Sequence, residues 1–307
     1  MRVVFLGTPP VAATCLEGFA KSRHEIAMVG THPDRIAGRG LKPVPTAVKE
    51  MAARLGLPVL EVPDVKDPAF AQALRDLQAD LLVVVAFVVL PPEVLGATRL
   101  GAINLHGSLL PKWRGAAPVQ RAVESGEAVT GGTIFRLDNG VDTGGIILQE
   151  KIEIGPDDTS GDVLAKLAEQ GGAWLARAVD HLEANPADPG LKQDPALATR
   201  APKLFPEEGS LDFTKSAQAL HDKIRAFHPA PGCWCRPSGR LLKIWRTRVM
   251  TESVGAAGEA SRLPDGRVAV ACGAGSLELV EVQPEGKKRQ SGGDWFNGLR
   301  ADLVVLS

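Results

Sequence analysis

Short apolar runs alternate with helix-spaced stretches through the first half of the chain. VVFLG (3–7) leads into an amphipathic segment ending at Phe19, and IAMVG (26–30) follows. After a loop over 31–45, a helix is predicted near 46–55. LLVVVAF (81–87) is continuously apolar, the pattern of a strand covered on both faces of a parallel sheet. GAINL (101–105) reads as the next strand and PVQRAVESG (118–126) as a helix after it. GGTIFRL and GGIILQEKIEI flank the loop DNGVDTGG and predict an edge hairpin. Over 160–184 the apolar positions recur as in a long covering helix, with Ser160 at its N-cap. The alternation predicts an α/β fold built on a doubly wound, mainly parallel sheet.

The pattern breaks at 185–209, where proline and polar residues carry little periodicity and predict a linker. Beyond it one helix (SAQALHDKIRAF) precedes short alternating segments: GCWCRP, RLLKIWRTRV, RVAVACG and SLELVEV. Closely spaced short strands predict a small β-barrel or sandwich. Three parts result: a domain over 1–186, a linker over 187–207 and a second domain over 208–307.

Composition narrows the class. At 307 residues, 44% hydrophobic and 23% charged, the chain has the make-up of a soluble globular protein with room for two domains. A net charge of −1 neither requires nor excludes a polyanionic partner, because a local patch hides inside a neutral total. No apolar run reaches the ~18 residues of a membrane span. MRVVFLGTPP runs straight into a strand, without the apolar segment and cleavage site of a secretory signal. Cys15, Cys233, Cys235 and Cys272 form no CxxC pair and no zinc spacing, so a cytoplasmic protein with reduced thiols is expected. Cys233 and Cys235 flank Trp234, and a pleated strand puts both on one face, where packing is the favoured role over metal or redox work.

FLGTPP follows a strand and opens a helix, yet it is not G-x-G-x-x-G, and there is no Walker lysine. A nicotinamide or nucleoside-triphosphate enzyme is disfavoured. Asn104 and His106 stand two apart at a strand's carboxyl end, so a pleat aims both to one side of the crevice where such sheets bind ligands. An Asn amide polarises a carbonyl and holds the oxyanion that forms from it; an imidazole moves protons near neutral pH. Asp142, in the glycine-rich loop, is the carboxylate expected to orient His106 and raise its pKa. Asp138 competes for that role but reads as turn chemistry. Ser108 lacks the second glycine of a nucleophile elbow. Asn, His and Asp without a nucleophile point to direct attack of a substrate amine on an acyl carbon.

INLHGSLLPKWRGAAPVQRAV, LDNGVDTGGIILQ and THPDRIAGRGLKPVPTAVKEMA together resemble the methionyl-tRNA formyltransferase family over nearly the whole chain. The resemblance implies a Rossmann-like formyltransferase domain, a linker and a C-terminal OB-like barrel that binds tRNA. It implies formyl transfer from 10-formyltetrahydrofolate to the methionyl amino group of initiator tRNA, without a metal, by a cytoplasmic monomer. It places Asn104, His106 and Asp142 on the catalytic triad, Ser108, Leu109, Leu110 and Pro111 on the folate contact, and Phe87 in a loop lining the pterin pocket.

The acceptor separates the remaining readings. Glycinamide-ribonucleotide formyltransferases are similar in the first domain only. Sugar-nucleotide formyltransferases resemble the chain in both parts and are the rival. The loop 31–45, with Arg35, Arg39 and Lys42 spaced by glycines, matches the family loop that reaches the acceptor stem, and mobile basic loops suit phosphate backbones. Lys112 and Arg114 flank Trp113, which either stacks on a base or packs. Arg240, Lys243, Arg246 and Arg248 alternate with apolar residues and predict a cationic strand face, and GKKRQ (286–290) adds a second cluster. An RNA-binding protein on a dead transferase scaffold would show a lost Asn, His or Asp, and all three are present. The sequence departs from the family at AFVVLPPEVL, which has no glycine where the family takes a left-handed turn; Val11 and His32 are further departures.

Overall fold

A computed structural model describes residues 1–37, 42–253, 255–299 and 303–306. The chain divides into two compact units. The first unit comprises Met1–Pro118, Thr130–Ile152 and Leu164–Ala201. The second comprises Val119–Val129, Glu153–Val163 and Pro202–Ser307. The division therefore differs from the 186/208 boundaries expected: 187–201 belong with the first unit, and 119–129 and 153–163 with the second.

In the first unit the strands are β1 (Arg2–Gly7), β2 (Glu25–Thr31), β3 (Arg35–Ala37), β4 (Lys42–Val44), β5 (Val59–Glu61), β6 (Leu81–Val85), β7 (Ala102–His106), β8 (Val129–Arg136) and β9 (Ile146–Glu153). The helices are α1 (Pro10–Phe19), α2 (Ala47–Arg54), α3 (Pro68–Asp76), α4 (Pro92–Leu95), α5 (Pro118–Glu124) and α6 (Ser160–Ala184), of which α5 falls largely in the second unit. The main sheet runs β5-β2-β1-β6-β7-β8-β9. Its first five strands are parallel and β8 joins β7 antiparallel. Every residue of β6 is buried, which explains its unbroken apolar run. The chain leaves β1 toward β2 on one side, while β6 lies on the other. A topological switch point therefore opens at the carboxyl ends of β1 and β6, where open α/β sheets bind ligands. Gly7 ends β1 there because a Cβ would sit 2.7 Å from Ala12 Cβ and 2.9 Å from the Val85 carbonyl.

Two local expectations are corrected. The 31–45 loop contains the β3–β4 pairing. The N-cap of α6 is Thr159 rather than Ser160: the Thr159 hydroxyl accepts from Asp162 N at 3.2 Å while the Asp162 carboxylate accepts from Thr159 N at 2.9 Å. Ser160 instead donates to the carbonyls of Ala226 and His228, each at 2.7 Å.

The second unit holds α7 (Ala217–Ala226), capped by Ser216, and α8 (Gly292–Asn297). Its strands are β10 (Cys233–Cys235), β11 (Leu242–Met250), β12 (Glu259–Arg262), β13 (Val268–Ala271), β14 (Ser276–Pro284), β15 (Gln290–Ser291) and β16 (Leu303–Val305). They form an antiparallel half-barrel sheet ordered β10-β11-β14-β13-β12-β16, with β15 on β14. Cys233 and Cys235 both turn inward opposite Ile244 and Leu242, as the pleat predicts. Burial pushes both thiols up to about 12.

Candidate active site

The register of β7 sets the site. Asn104 lies opposite Val84 and Phe135, and His106 opposite Thr133, at the carboxyl end of the parallel strands. Asn104 lines a cavity of about 110 Å3 together with Val84, Phe87, Val88, Val89, Leu90, Leu137 and Asp142. Among the described residues no protein group hydrogen-bonds its side-chain amide, so its N–H and C=O groups are left for a ligand.

His106 is buried, with Nε2 2.8 Å from the Trp113 carbonyl. A carbonyl only accepts, so Nε2 carries the proton and Nδ1 is the free position. Nδ1 faces Asp142 Oδ2 at 3.6 Å. The same Oδ2 accepts the Gly115 N–H at 2.8 Å. Asp142 (φ 53°) and Trp113 (φ 60°) both sit in the left-handed region that non-glycine residues seldom occupy, and such outliers cluster at functional sites. Burial lowers the His106 pKa by more than Asp142 and the Trp113 carbonyl raise it. The expected rise is thus reversed: Asp142 acts in the foreseen direction, but desolvation wins. The ring is oriented by the Trp113 carbonyl, a contact the sequence did not signal.

The turn after β7 is held by its own hydrogen bonds. Ser108 is fully buried and donates to the Lys112 carbonyl at 2.6 Å, and Leu110 is buried. Thr133 pins the turn, donating to the Ser108 carbonyl (2.6 Å) and accepting from Leu110 N (3.0 Å). No side chain of Ser108, Leu109, Leu110 or Pro111 lines the cavity; Phe87 does. Asp138 accepts from Gly140 N and Thr143 Oγ1, which is turn chemistry as read.

Phe87 also borders a second cavity of about 570 Å3 at the switch point, with Thr8, Pro9, Pro10, His32, Arg35, Val44 and Thr46. Phe87 and His32 stack with ring centroids 4.9 Å apart. The β6–α4 loop does contain a left-handed residue, but it is Ala86 (φ 48°) rather than either valine. FLGTPP, set aside as a nucleotide fingerprint, supplies a wall of this cavity. The switch-point rule was the signal that could have found it.

The basic candidates divide. Arg35 is exposed at the switch-point cavity. Lys42 opens β4, and Arg39 lies outside the described residues. Lys112 is exposed, whereas Arg114 is committed to Gln193 Oε1, with Nη2 at 2.7 Å. In the second unit Arg240, Arg246 and Arg248 are exposed. Arg248 pairs with Glu278 at 3.0 Å. Lys243 Nζ lies 5.3 Å from the Trp245 ring, and Arg289, from GKKRQ, stacks 3.9 Å over the same ring. Bulges in β11 at Ile244–Arg246 and Arg246–Thr247 shift its register, so the cationic face is not the simple alternation expected. The fold brings both predicted basic clusters to Trp245.

An unpartnered Asn amide, a buried His–Asp pair and a switch-point cavity suit acyl transfer without a nucleophile, and family comparison gives the class. The formyl transferase family matches residues 1–179 and the formyl transferase C-terminal domain matches 203–300. The methionyl-tRNA formyltransferase of Anaeromyxobacter dehalogenans is 44% identical over 305 residues, covering 98% of this chain and 97% of the relative. The chain belongs to the methionyl-tRNA formyltransferase family. Among solved structures, HypX from Aquifex aeolicus in complex with tetrahydrofolic acid shares the fold at TM-score 0.69 and 15% identity. That match covers 98% of this chain and 48% of HypX, so the chain spans about half of HypX. The N-formyltransferase from Helicobacter canadensis, in complex with folinic acid and dTDP-3-aminofucose, matches at TM-score 0.67 and 18% identity, covering 92% and 98%. Among the described residues no helix is long and apolar enough to cross a membrane.

Proposed function

We propose that the protein transfers the formyl group of 10-formyltetrahydrofolate to the methionyl amino group of initiator methionyl-tRNA, as a cytoplasmic monomer and without a metal. The observation that carries the acceptor is the 44% identity over nearly the full length to a methionyl-tRNA formyltransferase, against 18% to the sugar-nucleotide enzyme. The observation that supports the chemistry is the convergence of Asn104, Asp142 and Phe87 on one cavity, with His106 behind Asp142.

In this reading the folate packs its ring against Phe87 and presents its formyl group to Asn104. The neutral amine attacks the formyl carbon, and the Asn104 amide holds the charge that gathers on the oxygen. The amine's proton passes to the Asp142–His106 pair. Nδ1 is the free ring position, so a proton arriving there becomes an N–H donated to Asp142. The buried pair then holds an imidazolium beside a carboxylate. The C–N10 bond breaks, the proton leaves to N10, and tetrahydrofolate departs. Arg35, Arg39, Lys42 and Lys112, with Arg240, Lys243, Arg246 and Arg248 in the second unit, hold the tRNA backbone. Arg114 contributes with the part of its guanidinium that Gln193 leaves free.

The test offers 10-formyltetrahydrofolate with methionyl initiator tRNA and amino-sugar nucleotides as parallel acceptors. Formyl on the tRNA alone is expected. Formyl on the sugar alone would overturn the acceptor, and no transfer to either would overturn the donor.

A further inference from the structure

We infer that Gln193 is a positioning residue for the reaction, holding the Asp142 carboxylate against His106 through the backbone of the loop that carries it. The inference rests on the reading of Asp142 and His106 given above.

The loop Asp138–Val141 is exposed, yet Asp142, which follows it, must keep its carboxylate beside a buried imidazole from a left-handed backbone. Gln193 comes from the segment expected to be a linker. That segment is tied to the first unit by the bridges Ile146–Leu191 and Arg114–Arg200. The side chain is buried and fully used. Nε2 donates to the carbonyl of Asp142 at 3.0 Å and to that of Gly144 at 2.8 Å. Oε1 accepts from Arg114 Nε at 3.2 Å and Nη2 at 2.7 Å. The residue after Arg114 is Gly115, whose N–H binds Asp142 Oδ2. A closed ring results, from the Asp142 carbonyl through Gln193, Arg114 and Gly115 back to the Asp142 carboxylate. Backbone and side chain of one acidic residue are thereby fixed from opposite ends. A carboxamide is suited to this place because it donates twice and accepts on one planar group.

The experiment compares wild type with Gln193→Leu, Gln193→Glu and Asp142→Asn. Leu keeps the bulk and removes every polar contact; Glu keeps the partner for Arg114 and removes both donors, so it reports should the Leu variant fail to fold. Three readouts are taken: kcat and KM for formyl transfer to methionyl initiator tRNA, thermal unfolding, and the titration of His106 by NMR. A displaced carboxylate costs about a hundredfold in kcat, by analogy with a misplacement of about 1 Å, while KM for the folate donor holds. His106 then titrates at lower pH, because Asp142 no longer favours its charged form. A purely structural glutamine would lower the melting temperature and leave the His106 titration where it was, and that result overturns the inference. Full kcat in a folded Gln193 variant with Asp142→Asn inactive also overturns it, leaving the reading of Asp142 intact. Full activity in Asp142→Asn overturns both.

Discussion

Thr133→Val isolates what holds the turn beside the site. The Thr133 side chain is fully buried, and valine matches its shape while removing the hydroxyl. Three hydrogen bonds go: to the Ser108 carbonyl at 2.6 Å, from Leu110 N at 3.0 Å and from Gln149 Nε2 at 3.0 Å. Gln149 keeps its bond to the Leu110 carbonyl at 2.7 Å and is not stranded. The Ser108 carbonyl and Leu110 N lose this partner, and each buried polar group left unpaired costs about 1–3 kcal/mol. The added methyl returns about 1 kcal/mol of apolar burial. The net is a loss of about 3 kcal/mol. At about 2–4 °C per kcal/mol for a unit of this size, melting should fall by about 6–12 °C. Activity should fall as well, because the same turn carries Trp113, whose carbonyl orients His106. Calorimetry and formyl transfer on Thr133→Val and Thr133→Ser decide it. Serine keeps the hydroxyl and should cost only about 1 kcal/mol for the lost methyl. A valine variant as stable as wild type, or a serine variant as damaged as valine, would refute the hydrogen-bond account.

Three other outcomes are expected. Burial lowers the His106 pKa, so below its ordinary value of about 6.5 the unfolded chain binds more protons at this position than the fold does. Its contribution to stability is present above that pH and is lost as pH falls through the depressed folded value. Melting of His106→Gln should therefore decline less steeply with acid than wild type, and parallel curves would count against the assignment. Phe87→Ala should raise KM for the folate donor about tenfold, the equivalent of about 1.4 kcal/mol of aromatic contact, and leave KM for tRNA alone; an unchanged folate KM removes Phe87 from the pocket. All four cysteines are buried, and burial pushes Cys15, Cys233 and Cys235 up to about 12 and Cys272 up to about 11. A disulfide thiol reagent should find them inert in the native protein and reactive after unfolding, and one fast native thiol would contradict this.

Local pattern alone determined much of this protein. The buried run of β6 and the helix spacing of α6 require only period and apolarity, so the parallel sheet was legible from them. Asn104 and His106 were legible as a pair because a strand's two-residue repeat is a local property. Asp142 was found through its glycine-rich surroundings. Tertiary structure decided the rest. It set the sign of the His106 shift, since desolvation depends on what packs around a ring and no neighbouring letter records that. It pinned the SLLP turn, because Thr133 reaches it across the β7–β8 register. The stretch 187–201 looked like a linker because it has no period; its partners are backbone carbonyls and amides, which any sequence offers. Gln193 holds Asp142 from a distance of fifty-one residues in the chain, and only folding brings that carboxamide and that carboxylate together.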